Sequence, residues 1–356
     1  MRTLKYKITF HAPAFLGNAE QNGQWRTPPF KAQLRQWWRV AYFADAIQRG
    51  LSFDLARMRE EEGLLLGNAW LDDKYRKSLV RVRLDKWSEG VLRKSQWPAD
   101  VTVTHPEVRS RAGKPVPVGS GLYLGYGPLV YDNQLRTTRL KANAAIQAGE
   151  LAAFSIAFPD EGIQRLQRAL WLMDRYGAVG GRSRNGWGSY GLTPCEETPE
   201  PTGAVPLRPW RDCLRLDWPH ALGKDDKGAL IWQTAPHDDW QSLMRTLATI
   251  KIGLRTQFRF TAGKGGADPE ERHWLAYPVT KHSVRRWGNQ ARLPNQLRFK
   301  LRVEKIHPGT LVGVIFHVPH LPPLAFTPDR AAIERVWQRV HAFLDAPAQK
   351  LTRIPE

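Results

Sequence analysis

The chain has 356 residues, with 53 Lys and Arg against 34 Asp and Glu, a formal net charge of +19. A hydrophobic fraction of 42% beside 24% charged residues excludes a disordered polyelectrolyte, and no apolar run approaches the ~18 residues of a membrane span. Two cysteines, Cys195 and Cys213, exclude a disulfide framework and lack metal-motif spacing, so a cytoplasmic location is expected.

The length suggests two domains. The opening segment MRTLKYKITF alternates Leu4, Tyr6, Ile8 and Phe10 with polar residues, which predicts a half-buried strand rather than a signal-peptide core. In TPPFKAQLRQWWRVAYFADAI, Thr27 suits an N-cap and Pro28 the first helical position, and Phe30, Leu34, Trp37, Ala41 and Ala44 form one helical stripe. SLVRVRL and LAAFSIAF read as strands, and residues 162–176 as a helix with Ile163, Leu166, Leu170 and Met173 inward. Residues 196–209 hold Pro199, Pro201, Pro206 and Pro209 and read as a linker between domains at 1–195 and 210–356. Beyond it, CLRLDW, LRFKLRVEKI and TLVGVIFHV read as strands, with Leu297, Phe299, Leu301 and Val303 inward. Thr327-Pro328 starts a last helix carrying Ile333, Trp337, Val340 and Phe343. Helices alternating with hairpin-forming strands, twice over, predict an α+β protein of two split βαβ sandwiches.

Both halves are basic: 29 cations against 20 acids in residues 1–200, and 24 against 14 in 201–356. That balance favours a polyanionic partner, nucleic acid first. Three segments could supply the contacts. Lys31, Arg35 and Arg39 fall at i, i+4 and i+8 of the first helix, a cationic stripe whose lysine sits beside the free N–H groups of the helix start. GAVGGRSRNGWGSYG (177–191) has six glycines in fifteen residues, with Gly180 and Gly181 before Arg182, Ser183 and Arg184. Backbone can approach a phosphodiester closely there, and Trp187 is expected to offer a stacking face. Residues 251–305 hold 13 cations against 4 acids, and Lys281, His282, Arg285, Arg286, Trp287 and Arg292 interleave there.

Catalytic patterns are sparse. GWGSYG is not followed by a helix, which excludes a dinucleotide fold, and no Lys-Ser/Thr follows the glycines as a P-loop requires. There is no HExxH, and Pro319 separates His317 from His320 in an extended segment, so no metal site is expected. The Glu60–Glu62 run and the pairs Asp72-Asp73, Asp225-Asp226 and Asp238-Asp239 read as solvated turns and helix ends. His11 is the one candidate general base for 2′-OH attack.

WRTPPFKAQLRQWWRV (25–40) is similar to the R-x-P-S-L-K-G-x-L-R-x-W-W-R segment of RAMP proteins, the repeat-associated proteins of type III CRISPR–Cas systems. Glu62 to Gly67 resembles that family's E-x-x-L-F-G, and GAVGGRSRNGWGS its G-x-x-G-S-R-S-R-x-G-F-G-S loop. With YLGYG (123–127), HWLAYPV and QLRFKL, the order resembles the subunit-one family of the type III-B Cmr complex. Pro29, Ala32, Gly181 and Trp187 stand where the family has Ser, Gly, Ser and Phe. The resemblance implies two ferredoxin-like (RRM-like) domains without a cofactor. It also implies a non-catalytic subunit that holds the 3′ region of the guide RNA (crRNA), or the guide–target duplex, beside other RAMP subunits and away from membranes. Its RNA contacts carry over to Lys31, Arg35, Arg39, Arg182, Ser183 and Arg184. The alternative on this fold is a metal-independent endoribonuclease processing crRNA, with His11 or Tyr123 in acid–base roles. A third is a protein scaffold whose basic faces meet acidic neighbouring subunits.

Overall fold

The computed structural model describes residues 1–50, 52–70, 75–304 and 306–355; the Asp72-Asp73 pair lies outside them. In chain order the elements used below are β1 (Arg2–Phe10), α1 (Pro28–Gln48), α2 (Leu55–Leu66), β2 (Arg81–Leu84), β3 (Thr102–Arg109), β4 (Pro115–Gly119), β5 (Leu151–Phe158), α3 (Ile163–Tyr176) and β6 (Tyr190–Pro194). They continue with β7 (Ile231–Gln233), α4 (Trp240–Thr256), β8 (Leu297–Val303), β9 (Leu311–His317), α5 (Arg330–Asp345) and β10 (Thr352–Arg353).

The chain divides into two compact units, and the division differs from a cut at 196–209 in two places. Residues 100–124 group with the second unit, and 300–311 with the first.

In unit 1 the sheet order is β6-β1-β5-β2, with β1 antiparallel to both β5 and β6 and β5 antiparallel to β2. α1 lies between the first two strands in sequence and α3 between the last two. This is the ferredoxin-like βαββαβ arrangement, with long insertions in its connections. The alternation of β1 is realised: Leu4, Tyr6, Ile8 and Phe10 are buried, and Lys5 and Lys7 are exposed. Phe30 of α1 packs 5.8 Å from Phe154 and 5.4 Å from Tyr190, ring centroid to centroid, so the helix stripe seats directly on the sheet. Both Trp37 and Trp38 are buried. Asp45 near the end of α1 pairs with Arg165, at 2.8 Å, and with Arg168 of α3.

The second sheet runs β8-β9-β7-β10, and with α4 and α5 it repeats the same strand order. α4 escaped the sequence reading, although Asp239 caps it by accepting from the Gln241 and Ser242 N–H groups. CLRLDW is not a strand. Trp210–Cys213 is one helical turn, and Cys213 and Leu214 are buried side by side as a turn allows and a half-buried strand does not. In β8 Val303 is exposed, whereas Arg298 and Lys300 are buried beside Leu297, Phe299 and Leu301, so the strand is covered on both faces and its alternation misleads. The last helix starts two residues later than expected, capped by Asp329, which accepts from the Ala332 N–H.

Within unit 2, His317 Nδ1 and His341 Nε2 share a hydrogen bond of 2.9 Å, and the His317 ring packs at a tilt against Trp337, centroids 4.1 Å apart. Burial holds His317 well below its ordinary pKa and takes His341 to about 3. Both are therefore neutral in the folded state while their unfolded counterparts protonate below pH 6.5. Stability present above pH 6.5 is lost as pH falls, by about 1.4 kcal/mol per pH unit for each histidine. Denaturant unfolding between pH 7.5 and 4.5 should show this fall, and His341→Gln should flatten the curve by one histidine's share.

Candidate nucleic-acid interface

The stripe on α1 is built differently from the expectation. Glu62 of α2 is not solvated: its side chain is 2% exposed. Arg35 Nε donates to its Oε1 at 2.7 Å, and Arg39 donates from Nε to Oε2 at 2.8 Å and from Nη2 to Oε1 at 2.9 Å. Arg35 Nη2 also donates to the Gly67 carbonyl at 3.1 Å. A carboxylate this deep must be paired, and two guanidiniums that pair it are structural before they are anything else. Arg35 and Arg39 are thus committed to an intramolecular carboxylate and are not the free cations that a stripe of contacts requires. The E-x-x-L-x-G segment explains itself the same way. Glu62 holds the arginines, and Gly67, at φ +86°, passes so close to Ser78 that a Cβ would sit 2.7 Å from its nitrogen.

Lys31 remains available. It lines a groove of about 610 Å³ with Thr27, Arg35, Lys77, Ser78 and Arg81, between the start of α1 and the chain leading into β2. Among the described residues no carboxylate pairs with Lys31, Lys77 or Arg81. Burial, then the neighbouring Arg35, pulls the Lys31 ammonium below its ordinary pKa. Thr27 sits at the N-cap position, yet its side chain accepts no capping bond, and the first turn holds no acid. Pro28 and Pro29 carry no N–H and the Lys31 N–H is bonded to the Thr27 carbonyl at 3.1 Å, so Phe30 alone keeps an open N–H in the first turn. What makes the groove a favourable place for a phosphate is its three cations, none with a carboxylate partner among the described residues, at the positive end of a 21-residue helix. Lys77 and Arg81 were not singled out by sequence; the signal was the cationic face of SLVRVRL.

The glycine-rich segment is a folded loop. Gly188, at φ +64°, lies so near the Val179 carbonyl that a Cβ would fall 1.9 Å from its oxygen, and one at Gly180 (φ +91°) would fall 2.7 Å from the Phe15 oxygen. Trp187 is 0% exposed, its ring 5.1 Å from Phe15 and 5.8 Å from Trp97, so it anchors the loop and offers no stacking face. Gly181 packs on Pro128. Arg182 projects into solvent from a left-handed backbone (φ +59°), while Ser183 and Arg184 are half-buried. Burial lowers the pKa of both arginines. The exposed aromatic is instead Tyr126, 65% accessible, in the turn whose Gly127 lies against Arg182. Its signal was YLGYG.

Lys300 fixes this loop from below. Its buried ammonium donates to the carbonyls of Asp174, Gly177 and Tyr190 at 2.6 Å each, and reaches that of Met173 at 3.4 Å. Next to it, Ser189 Oγ donates to the Gly186 carbonyl at 2.7 Å and accepts from the Leu301 N–H at 3.0 Å. Phe30 of α1 packs on Tyr190, where the loop runs into β6, and among the described residues no ion pair or hydrogen bond links Lys31 with Arg182.

Lys281, Arg285 and Arg286 are exposed in unit 2, with Arg286 3.7 Å from Asp268. Trp287 is buried and donates to the Phe326 carbonyl at 3.2 Å, so it belongs to that unit's core. His11 is half-buried, and burial followed by the Lys300 charge takes its pKa down to about 3.

The sequence pattern of the RAMP superfamily matches residues 7–191, spanning both the groove and the glycine-rich loop. The chain belongs to the RAMP superfamily. A search of curated proteins finds no match. Among solved structures this RAMP protein is similar in fold to Cmr1 from Pyrococcus furiosus in its apo form, at 15% identity, TM-score 0.47, and coverage of 99% of this chain and 98% of that one. It is similar also to a chain of the type III-B Cmr-beta complex bound to cognate target RNA, at 11% identity, TM-score 0.46, and coverage of 95% and 99%.

In this RAMP chain Glu62→Gln leaves two guanidiniums without their counter-charge. Because both arginines are partly solvated, the substitution should lower unfolding free energy by about 2–3 kcal/mol, below the loss for a fully buried pair. Urea denaturation measures it, and an unchanged midpoint contradicts the pairing.

Proposed function

We propose that this RAMP protein is a non-catalytic RNA-binding subunit of a type III CRISPR effector complex of the III-B (Cmr) kind. It holds the 3′ region of the crRNA, or the crRNA–target duplex, alongside other RAMP subunits. The observation that carries the reading is the groove at the start of α1: Lys31, Lys77 and Arg81 line it without a carboxylate partner among the described residues, in a chain of net charge +19. Membership of the superfamily, the resemblance of residues 25–40, 62–67 and 177–189 to RAMP segments, and the resemblance of their order to the Cmr subunit-one family support the choice of partner.

The RNA contacts divide by chemistry. Lys31, Lys77 and Arg81 neutralise phosphates in the groove, at the positive end of α1. At the loop, Arg182 meets a further phosphate, and the exposed ring of Tyr126 stacks on an unpaired base. Gly180, Gly181, Ser183 and Arg184 shape the loop that presents Arg182. Lys281, Arg285 and Arg286 add a basic surface on unit 2. Recognition of this kind follows backbone and stacking and is weakly sequence-specific. A non-catalytic role is supported by His11, whose low pKa makes it a poor base near neutrality, and by Tyr123, whose phenol burial pushes up.

With four phosphates neutralised, log affinity for single-stranded crRNA should fall against log salt with a slope of about −3, at roughly 0.7 per contact. Tyr126→Ala should weaken binding about tenfold without altering the slope, through the lost base stack. A flat salt dependence overturns the proposal, and cyclic-phosphate products from repeat RNA in metal-free buffer overturn its non-catalytic part.

A further inference from the structure

Unit 2 holds a second polar cluster, remote in sequence from the groove. β3 carries His105 and Glu107, the short helix Ser120–Gly125 carries Tyr123, the last turn of α4 carries Arg255, and the 3-10 turn Glu271–Trp274 carries Arg272. The His105 and Tyr123 rings lie 5.5 Å apart. Arg272 Nη1 donates to both oxygens of Glu107, at 2.7 and 2.8 Å. Arg255 interacts electrostatically with Tyr123, Arg272 and Glu107 together.

The donors in this cluster outnumber its acceptors. Glu107 is its only carboxylate, and Arg272 occupies both oxygens. Arg272 is 5% exposed, yet its Nε has no acceptor. Arg255 is half-buried, at the cost of a lowered pKa from burial and then from Arg272, and its guanidinium makes neither ion pair nor hydrogen bond among the described residues. The Tyr123 hydroxyl likewise has no partner there. His105 Nδ1 accepts the Glu107 N–H at 3.2 Å, which leaves Nε2 as the N–H donor. Two guanidiniums against one carboxylate leave the cluster one positive charge in excess. Arg272 Nε is fully buried without an acceptor, which is unfavourable unless a ligand brings one, while Arg255 and Tyr123 are only half-buried and stay open to that ligand.

We propose that Arg255, Tyr123, His105 and the Nε edge of Arg272 form a phosphate-binding site on unit 2. Donors from four different elements suit the several oxygens of a tetrahedral phosphate. A carboxylate offers two oxygens in one plane, and Glu107 already fills that part. The phosphate is either an internal phosphodiester of RNA or a terminal phosphomonoester, and the two differ in charge and access. This site goes beyond the groove reading and does not depend on it.

The test uses the full chain carrying Lys31→Ala, Lys77→Ala and Arg81→Ala, which removes the groove's three unpaired cations, titrated calorimetrically with inorganic phosphate. One saturable site is expected. Adding Arg255→Gln should weaken it at least about tenfold, and adding Tyr123→Phe about fivefold, with thermal melting confirming that each variant folds. Displacement of phosphate by a short RNA ending in a 3′-hydroxyl assigns the site to a phosphodiester, and displacement only by the 3′-phosphorylated RNA assigns it to the chain terminus. Absence of saturable binding, affinity unmoved by both Arg255→Gln and Tyr123→Phe, or stronger displacement by polyglutamate than by either RNA overturns the proposal.

Discussion

Two arginines of α1 reach across to one buried carboxylate on α2, and the cationic character of unit 1 follows from that pairing. Glu62 is almost out of water, so it needs charge-assisted donors on both oxygens, and Arg35 and Arg39 supply three of them. The pairing fixes α2 against α1, and Arg35 extends the clamp to the carbonyl at Gly67, where the chain turns toward Lys77 and β2. Lys31, one turn earlier on α1, lies beyond reach of that carboxylate. The same helix face thus carries two kinds of cation: arginines that hold the fold together and a lysine that stays free for a ligand.

The glycine-rich loop shows the same division of labour. Its glycines close it on itself and on residues 11–16, Trp187 sinks between Phe15 and Trp97, and the Lys300 ammonium gathers the carbonyls at its base. A rigid loop presents Arg182 beside Tyr126 without paying further ordering entropy on binding. Lys300 comes from β8, well over a hundred residues later, at the point where the chain passes between the two units.

Local pattern made much of this legible. Alternation in β1, the proline-led start and apolar stripe of α1, and the span of α3 follow from periodicity that tertiary packing reinforced, and with β2 and β5 they yield the ferredoxin-like topology of unit 1. What escaped was information held in partners. An i, i+4, i+8 row of cations looks identical whether it faces solvent or a carboxylate 27 residues away, as Arg35 does. A tryptophan among glycines looks exposed until Phe15 and Trp97 close over it. Lys300 reads as a solvent-facing residue of an alternating strand, because its four carbonyl acceptors come from the C-terminal end of α3, from Gly177 and from the first residue of β6, which no periodicity records. In unit 2, CLRLDW satisfied alternation by accident, while α4 announced itself only through its Asp239 cap.

The account's central claim is the split between structural and ligand-binding cations on α1. It is tested most directly by measuring crRNA affinity and unfolding free energy side by side for Arg39→Ala and for the Lys31→Ala/Lys77→Ala double variant. The account predicts that Arg39→Ala loses stability, with the affinity of the remaining folded protein within about twofold of the parent. It predicts that the lysine pair loses roughly tenfold or more in affinity at low salt with stability unchanged. The reverse outcome, RNA affinity that tracks Arg39 and ignores Lys31 and Lys77, contradicts it.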